Sequence, residues 1–413
     1  RSSDLKTARE AIQIMTDLVA EYGYYSSGES FSIADPHEVW MMEMIGKGPG
    51  NKGANWVAIR IPDGYVAGHA NHSRITKFAL NDPENVIYSK DIIQFARQQG
   101  FFKGKDSDFS FSDAFAPLEF SLVRFCDARV WSMFRRINAD ADKYISYIRG
   151  ESLERMPLYI KPDRKLSVED VMSLKRDHYQ GTELDMTIGV AAGPYKMPYR
   201  WRPLIWEHEG QRYFNERPLS TPQTAFSFVS QSRSWLPREI GGVLWWGVDD
   251  TYFTVYTPLY ASMTRMPPNS KQGLGSLSKF TWESAFWVFN FVANFSYPKY
   301  SIIIDDVVKV RNELEGTFLA RQKEVEDKAL ALSKSSSREA TEFLNNYSLD
   351  MAAKAYKRWR ELGEFLILKY VDGIVKNEYF QPVNVGYPDE FKDLMIKNDG
   401  DRLKMRQVPG END

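Results

Sequence analysis

The residues able to do chemistry gather in two short stretches. In Gly68-His69-Ala70-Asn71-His72-Ser73-Arg74, amide, imidazole, hydroxyl and guanidinium groups follow directly on an apolar strand pattern. Strand ends are places where sites are commonly built. The plainer reading is a polar turn whose His and Asn cap the next element. The second stretch, Arg124-Phe125-Cys126-Asp127-Ala128-Arg129-Val130-Trp131, holds the chain's single cysteine. Cys126 could act as a thiol nucleophile, but beside Phe125, Val123 and Val130 in a helical pattern a packing cysteine is the commoner outcome. An arginine here could clamp a substrate carboxylate with its two-pronged donor face, or pair internally with Asp127 or another carboxylate. The sequence favours the internal pairing.

Other chemistries are excluded by missing patterns. There is no Gly-x-Ser-x-Gly elbow, no His-Glu-x-x-His, no Gly-x-x-x-x-Gly-Lys-Ser/Thr and no Ser-x-x-Lys with a Ser-Asp-Asn partner, which argues against the common hydrolase and nucleotide-binding classes. The glycine-rich run 46–53 lies between two strand patterns and contains Pro49, so it reads as a hairpin loop rather than a phosphate cradle. One Cys and five His give no zinc spacing and no disulfide. No metal or cofactor is expected. Lys plus Arg is 53 against 55 Asp plus Glu, a net charge of −2, which removes the footprint of a dedicated nucleic-acid binder. The apolar stretch Phe286 to Phe295 is interrupted by Asn290 and Asn294 and falls short of the ~20 residues a membrane span needs.

The elements that position these residues follow from periodicity. Across 413 residues, 43% are hydrophobic, enough for a large packed core. Leu5, Ala8, Ile12, Met15, Leu18 and Val19 recur at helical spacing, which predicts a helix ending near Gly23. Phe31–Pro36, Glu38–Met44, Asn55–Arg60 and Tyr65–Ala67 are short, rich in β-branched and aromatic residues and separated by turn chemistry, the signature of an antiparallel meander. Helices and loops are expected over 89–177, including a helix over 119–136. Strands return at Thr187–Val190, Ala225–Gln231 and Gly242–Gly247. Beyond 281 the pattern is helical over 282–295, 304–331 and 338–376, broken at Ser333–Ser337, and the last thirty residues read as loop and tail. Strands and helices come in blocks rather than one by one, so an α+β fold of helices stacked on antiparallel sheets is expected. The division is 1–280 as core, 281–377 as a helical region and 378–413 as loop and tail.

Several of these stretches resemble the C69 (U34) dipeptidases, a family of amino-terminal-nucleophile hydrolases to which the secernins are related. The matching residues are Thr7–Ala11, Phe31–Pro36 with Glu38-Val39-Trp40, Gly68–Ile75, Arg124–Trp131, Ser227–Arg233 running into Gly241–Gly247, and Phe280–Asn290. The resemblance implies an αββα sandwich and hydrolysis of dipeptides by a cysteine exposed as the first residue after precursor processing. Its thiol attacks the peptide carbonyl and its own α-amine serves as base. Asn71 matches the position where such enzymes hold the tetrahedral oxyanion. Arg74, Arg129 and His72 are candidates for substrate binding, the two arginines as carboxylate anchors.

The nucleophile is the departure from that pattern. The chain opens Arg1-Ser2-Ser3-Asp4 with neither an initiator Met nor a hydrophobic signal core, which reads as an internal cut in a longer precursor. Cys126 matches an internal family position. The reacting cysteine is therefore expected on an amino-terminal fragment that stays associated with this chain. Bacterial cytoplasm and export are both left open, and assembly into a homo-oligomer is a further open expectation. The same chemistry on non-peptide acyl amides, or a non-enzymatic secernin-like interaction role, are the competing readings.

Overall fold

The computed structural model describes residues 5–405. The opening residues Arg1–Asp4 and the last eight residues of the expected tail lie outside the described residues. The fold is mixed α and β, with several small sheets and a long helical carboxy-terminal region. It divides into two compact units. One is Arg1–Asp177 with Glu216–Leu219 and Val229–Val243, and the other is His178–Asn215, Ser220–Phe228 and Leu244–Asp413.

The first unit is built on helix α1 (Ala8–Tyr22) and a four-stranded sheet. Thr7 caps α1 in a capping box with Glu10, and the Asp35 carboxylate takes the Ala8 N–H at 2.8 Å, so two of the orphan donors at the helix start are satisfied. Gly23 ends it at φ 92° with its N–H on the Val19 carbonyl. The sheet has the order β1 (Gly28–Ala34), β2 (Val39–Gly46), β3 (Ala54–Ile61), β5 (Val86–Tyr88), all antiparallel. Alternation divides its faces. Trp40, Met42 and Met44 pack with Ala8 and Ile12 of α1, each large side chain contributing about 1.5–3 kcal/mol of burial. Met41, Glu43 and Ile45 point to the opposite face, where the site is built. The expected meander is thus present, with one change: β4 (Val66–Ala67) leaves the sheet to pair with β6 (Tyr159–Ile160), and β5 takes its place beside β3.

In the second unit, β7 (Ile205–His208) and β8 (Gln211–Phe214) form a hairpin turned by Glu209 and Gly210, both at positive φ. Strands β9 (Phe226–Ser232), β10 (Gly242–Val248) and β11 (Thr257–Tyr260) follow the order β11-β10-β9 in a further sheet, of which Phe226–Phe228, Leu244–Val248 and β11 belong to the second unit. Helices Ala285–Ser296, Tyr300–Ser333 and Ser337–Tyr370 occupy the expected helical stretches, with Ser336 capping the last through the Glu339 N–H; that last helix stops at Tyr370, short of the expected 376, because Val375–Lys376 pairs as a strand with Pro382–Val383. Trp359, fully buried, stacks on Phe289 with ring centroids 5.1 Å apart. Just beyond β10 lie two buried carboxyls. Asp249, at φ 64°, accepts from Asn290 Nδ2 at 2.9 Å. Asp250 accepts from the Ser220 and Tyr297 hydroxyls and the Tyr252 N–H. Burial lifts Asp249 to about 7 against the pull of Asn290, and the Asp250 charge adds to it; burial lifts Asp250 to about 6.

Two local expectations are corrected. Thr187–Val190 is a turn, because Asp185 Oδ1 accepts from both the backbone N–H and the hydroxyl of Thr187 and folds the segment back. The expected tail contains a helix over Asp389–Leu403, with no buried residue and so no apolar stripe to announce it.

Candidate functional site

The Gly68–Ile75 loop lies across the Glu43 face of the sheet. Gly68 is a point of close approach: a Cβ there would meet Met133 Cε, the flexible end of that side chain, and stand 3.2 Å from Val130 Cγ1. Glu43, buried in β2, gathers the loop by accepting from the Ser73 hydroxyl at 2.5 Å, the Arg74 N–H at 2.6 Å and the Ile75 N–H at 3.1 Å. Burial nevertheless holds the Glu43 carboxyl above its usual range, outweighing these donors.

Asn71 sits at the exposed crest of this loop at φ 59°, a left-handed conformation that Asn tolerates better than most residues. Arg129 fixes its amide. The guanidinium donates from Nε to the Phe125 carbonyl at 2.7 Å, and from Nη2 to the Ala70 carbonyl at 3.2 Å and Asn71 Oδ1 at 2.9 Å. Arginine has donors only, so the amide atom facing it must be the oxygen, and Nδ2 with its two N–H groups is turned the other way. Arg129 comes from helix Ala128–Arg135, which is entered through a π-helical turn at Val123–Asp127. Sequence periodicity predicts a plain helix here; the π turn is one of the bulges that often mark functional positions.

Cys126, in that turn, is buried, and its Sγ lies 3.6 Å from the Asn71 carbonyl oxygen. Burial pushes its thiol up despite the neighbouring Arg129. Asp127 receives the Tyr147 hydroxyl at 2.6 Å, with His72 Nδ1 at 3.4 Å and Arg74 Nε at 3.7 Å. Burial alone would raise the Asp127 carboxyl; His72, Arg74 and Tyr147 together outweigh it and hold it below the usual range. Arg74 is buried and donates to the carbonyls of Gly68 at 2.5 Å and Pro157 at 2.8 Å. Arg124 pairs with Glu216 at 2.7 Å, the internal pairing that the sequence favoured for this cluster, with a different carboxylate.

A cavity of about 580 Å³ opens over these groups. Asn71, His72 and Arg129 are on its wall, as are Glu43, Ser30 and His69, while Arg74 and Cys126 are not. Glu43 and Asp127 were missed as site residues. A lone carboxylate inside Trp40-Met41-Met42-Glu43-Met44 was the available signal, since a charge in a buried strand needs fixed partners. Among the described residues no cluster of His, Cys, Asp or Glu is arranged to hold a metal ion, and no helix is long and apolar enough to cross a membrane.

A sequence profile of peptidase family C69 matches residues 3–313, most of the chain. The chain belongs to peptidase family C69. Among curated proteins it is 28% identical over 271 residues to a probable dipeptidase of Salmonella dublin, covering 65% of this chain and 54% of that protein. It is 27% identical over 284 residues to a probable dipeptidase of Latilactobacillus sakei, covering 69% and 53%. Identity to probable dipeptidase B of Streptococcus pyogenes serotype M1 is 25% over 368 residues, covering 88% and 68%. The chain thus spans about half the length of the first two relatives.

Within this C69 chain the cavity wall offers a pre-set amide donor, a carboxylate and a guanidinium. It can stabilise negative charge that develops on a bound carbonyl. The one cysteine in the sequence is not on that wall.

Proposed function

We propose that this chain carries the oxyanion-stabilising side of a dipeptidase whose nucleophile is a cysteine on a polypeptide segment outside this sequence, within an αββα sandwich. The observation that carries the reading is the Asn71 amide. Its oxygen is held by Arg129 and its nitrogen is left as the donor at the cavity crest. In the reaction, the α-amine of the amino-terminal cysteine takes the thiol proton and the sulfur attacks the peptide carbonyl. Negative charge on the carbonyl oxygen is met by Asn71 Nδ2. Collapse expels the amine of the second residue, which takes the proton, and water then hydrolyses the thioester.

Three further observations support this assignment. Cys126 is a poor candidate nucleophile, because its thiol is buried, raised and directed at a carbonyl. Helix α1 packed on one face of the β1-β2-β3-β5 sheet is a helix-on-sheet layer of the kind the sandwich requires. The relatives that share this sequence are named probable dipeptidases. Arg129 acts as a positioning residue for Asn71 and brings positive charge to the wall, where a substrate carboxylate can approach. Arg74 serves the loop, since its donors meet the carbonyls of Gly68 and Pro157. His72, oriented by Asp127, remains at the wall as a substrate contact.

The test is Asn71→Ala in the full-length enzyme. Loss of an oxyanion donor lowers kcat by about 10²- to 10³-fold, with KM changed far less. A loss under tenfold would remove Asn71 from that role. Assay of dipeptides beside acyl amides decides between peptide and non-peptide substrates.

A further inference from the structure

A second cavity, of about 300 Å³, adjoins the first, and the two share His69 as a wall residue. Ser32 Oγ lies 3.0 Å from His69 Nε2, which ties the shared wall to strand β1. His69 is held below the usual histidine range, first by burial and then by the Arg74 and Lys175 charges, so it is a neutral group at physiological pH. The lining mixes polar and apolar surface in nearly equal measure, with Met41, Ile61 and Ala67 supplying an apolar side. Asp63 lines this cavity and not the larger one. Asp63 stands at the Pro62-Asp63-Gly64 turn, closed by the Tyr65 N–H on the Pro62 carbonyl at 3.1 Å. It makes no hydrogen bond or ion pair with another described residue, and no Lys or Arg lines the cavity.

At ~30 Å³ per water this space holds on the order of ten water molecules, the room of one large side chain and not of a peptide. A lining with one apolar side and a single carboxylate matches a long aliphatic stem with a cationic head. Resting on the dipeptidase reading above, we propose that the smaller cavity is the subsite for the side chain of the substrate's amino-terminal residue, and that it selects a basic one, arginine or lysine. With the scissile carbonyl at Asn71, two residues along from His69, that side chain passes His69 and lays its stem on Met41 and Ile61. Its head then reaches the Asp63 carboxylate.

The experiment compares kcat/KM of the full-length enzyme on dipeptides that share a second residue and differ in the first: arginine, lysine, the uncharged isosteres citrulline and norleucine, and glycine. Wild type is expected to prefer the two cationic residues over their isosteres by about twofold to fivefold, as an exposed ion pair allows. Asp63→Asn abolishes that preference, chiefly through KM, and leaves the glycine substrate unchanged. Ala67→Phe, which fills the cavity, lowers all four long side chains at least tenfold relative to glycine. Equal cation-to-isostere ratios in wild type and Asp63→Asn, or a uniform effect of Ala67→Phe on every substrate, would overturn the subsite. Failure of wild type to cleave any dipeptide would instead overturn the reading on which it rests.

Discussion

Replacement of Asp249 by asparagine tests whether a buried carboxyl sets the pH dependence of stability in the second unit. Asp249 is 1% exposed, and burial lifts it from the ordinary 3.8 to about 7. The folded state therefore binds a proton that the unfolded chain has already released. Stability associated with this group is complete below pH 3.8 and is lost as pH rises towards 7. At 1.36 kcal/mol per pH unit, holding the ionised form in the fold costs about 4 kcal/mol by pH 8. Asparagine carries no charge, accepts the same hydrogen bond from Asn290 through its oxygen, and tolerates the φ of 64°. Its NH₂ group would occupy the place of Asp249 Oδ2, which has no hydrogen-bond partner, at a cost of about 1–3 kcal/mol. The net expectation is a crossover. Asp249→Asn is less stable than wild type at pH 4 and more stable at pH 8, the difference swinging by about 4 kcal/mol. Urea unfolding followed by circular dichroism at the two pH values measures it. A constant offset between the proteins across that range would refute the reasoning.

Three further outcomes are expected. Cys126→Ala in the full-length enzyme retains activity within a few-fold, and iodoacetamide at neutral pH leaves Cys126 unlabelled in the folded protein; a hundredfold loss would make Cys126 catalytic. Trp359→Ala removes the stack on Phe289 and opens a cavity, costing about 3–5 kcal/mol by denaturant unfolding. Thr7→Ala costs about 1 kcal/mol, measured in the same way, because the Ala8 N–H keeps its bond to Asp35 when the cap is lost.

The sequence made the local structure of the first unit plain where pattern and punctuation agreed. Helix α1 carried an apolar stripe, a Thr7–Glu10 capping box and a terminal Gly23, and strands β1 to β3 alternated between turns. The β7–β8 hairpin has only Glu209-Gly210 between Ile205–His208 and Gln211–Phe214 to announce it, a weaker turn pair than Asn-Gly or Asp-Gly. The substitution of β5 for β4 beside β3 could not be read, because pairing partners depend on tertiary packing. Asn71 and Arg129 are each legible as candidates, but the bond between them joins residues 58 apart in the chain, which residue periodicity does not encode. The reading of Thr187–Val190 as a strand failed for a related reason: β-branched residues were weighed without the Asp185 side chain that captures the backbone before a ladder can form.

Gly68 and Met133 share one volume: the loop passes so near the helix that the thioether end of Met133 occupies the space a side chain at 68 would need. A methyl group gained at 68 would press on the flexible thioether end of Met133 rather than on backbone, so the contact can give by a change of that side chain alone. The loop that presents the amide is thus seated on the helix that orients it through a cushion that yields, and small alterations at 68 can be absorbed with both backbones left in place.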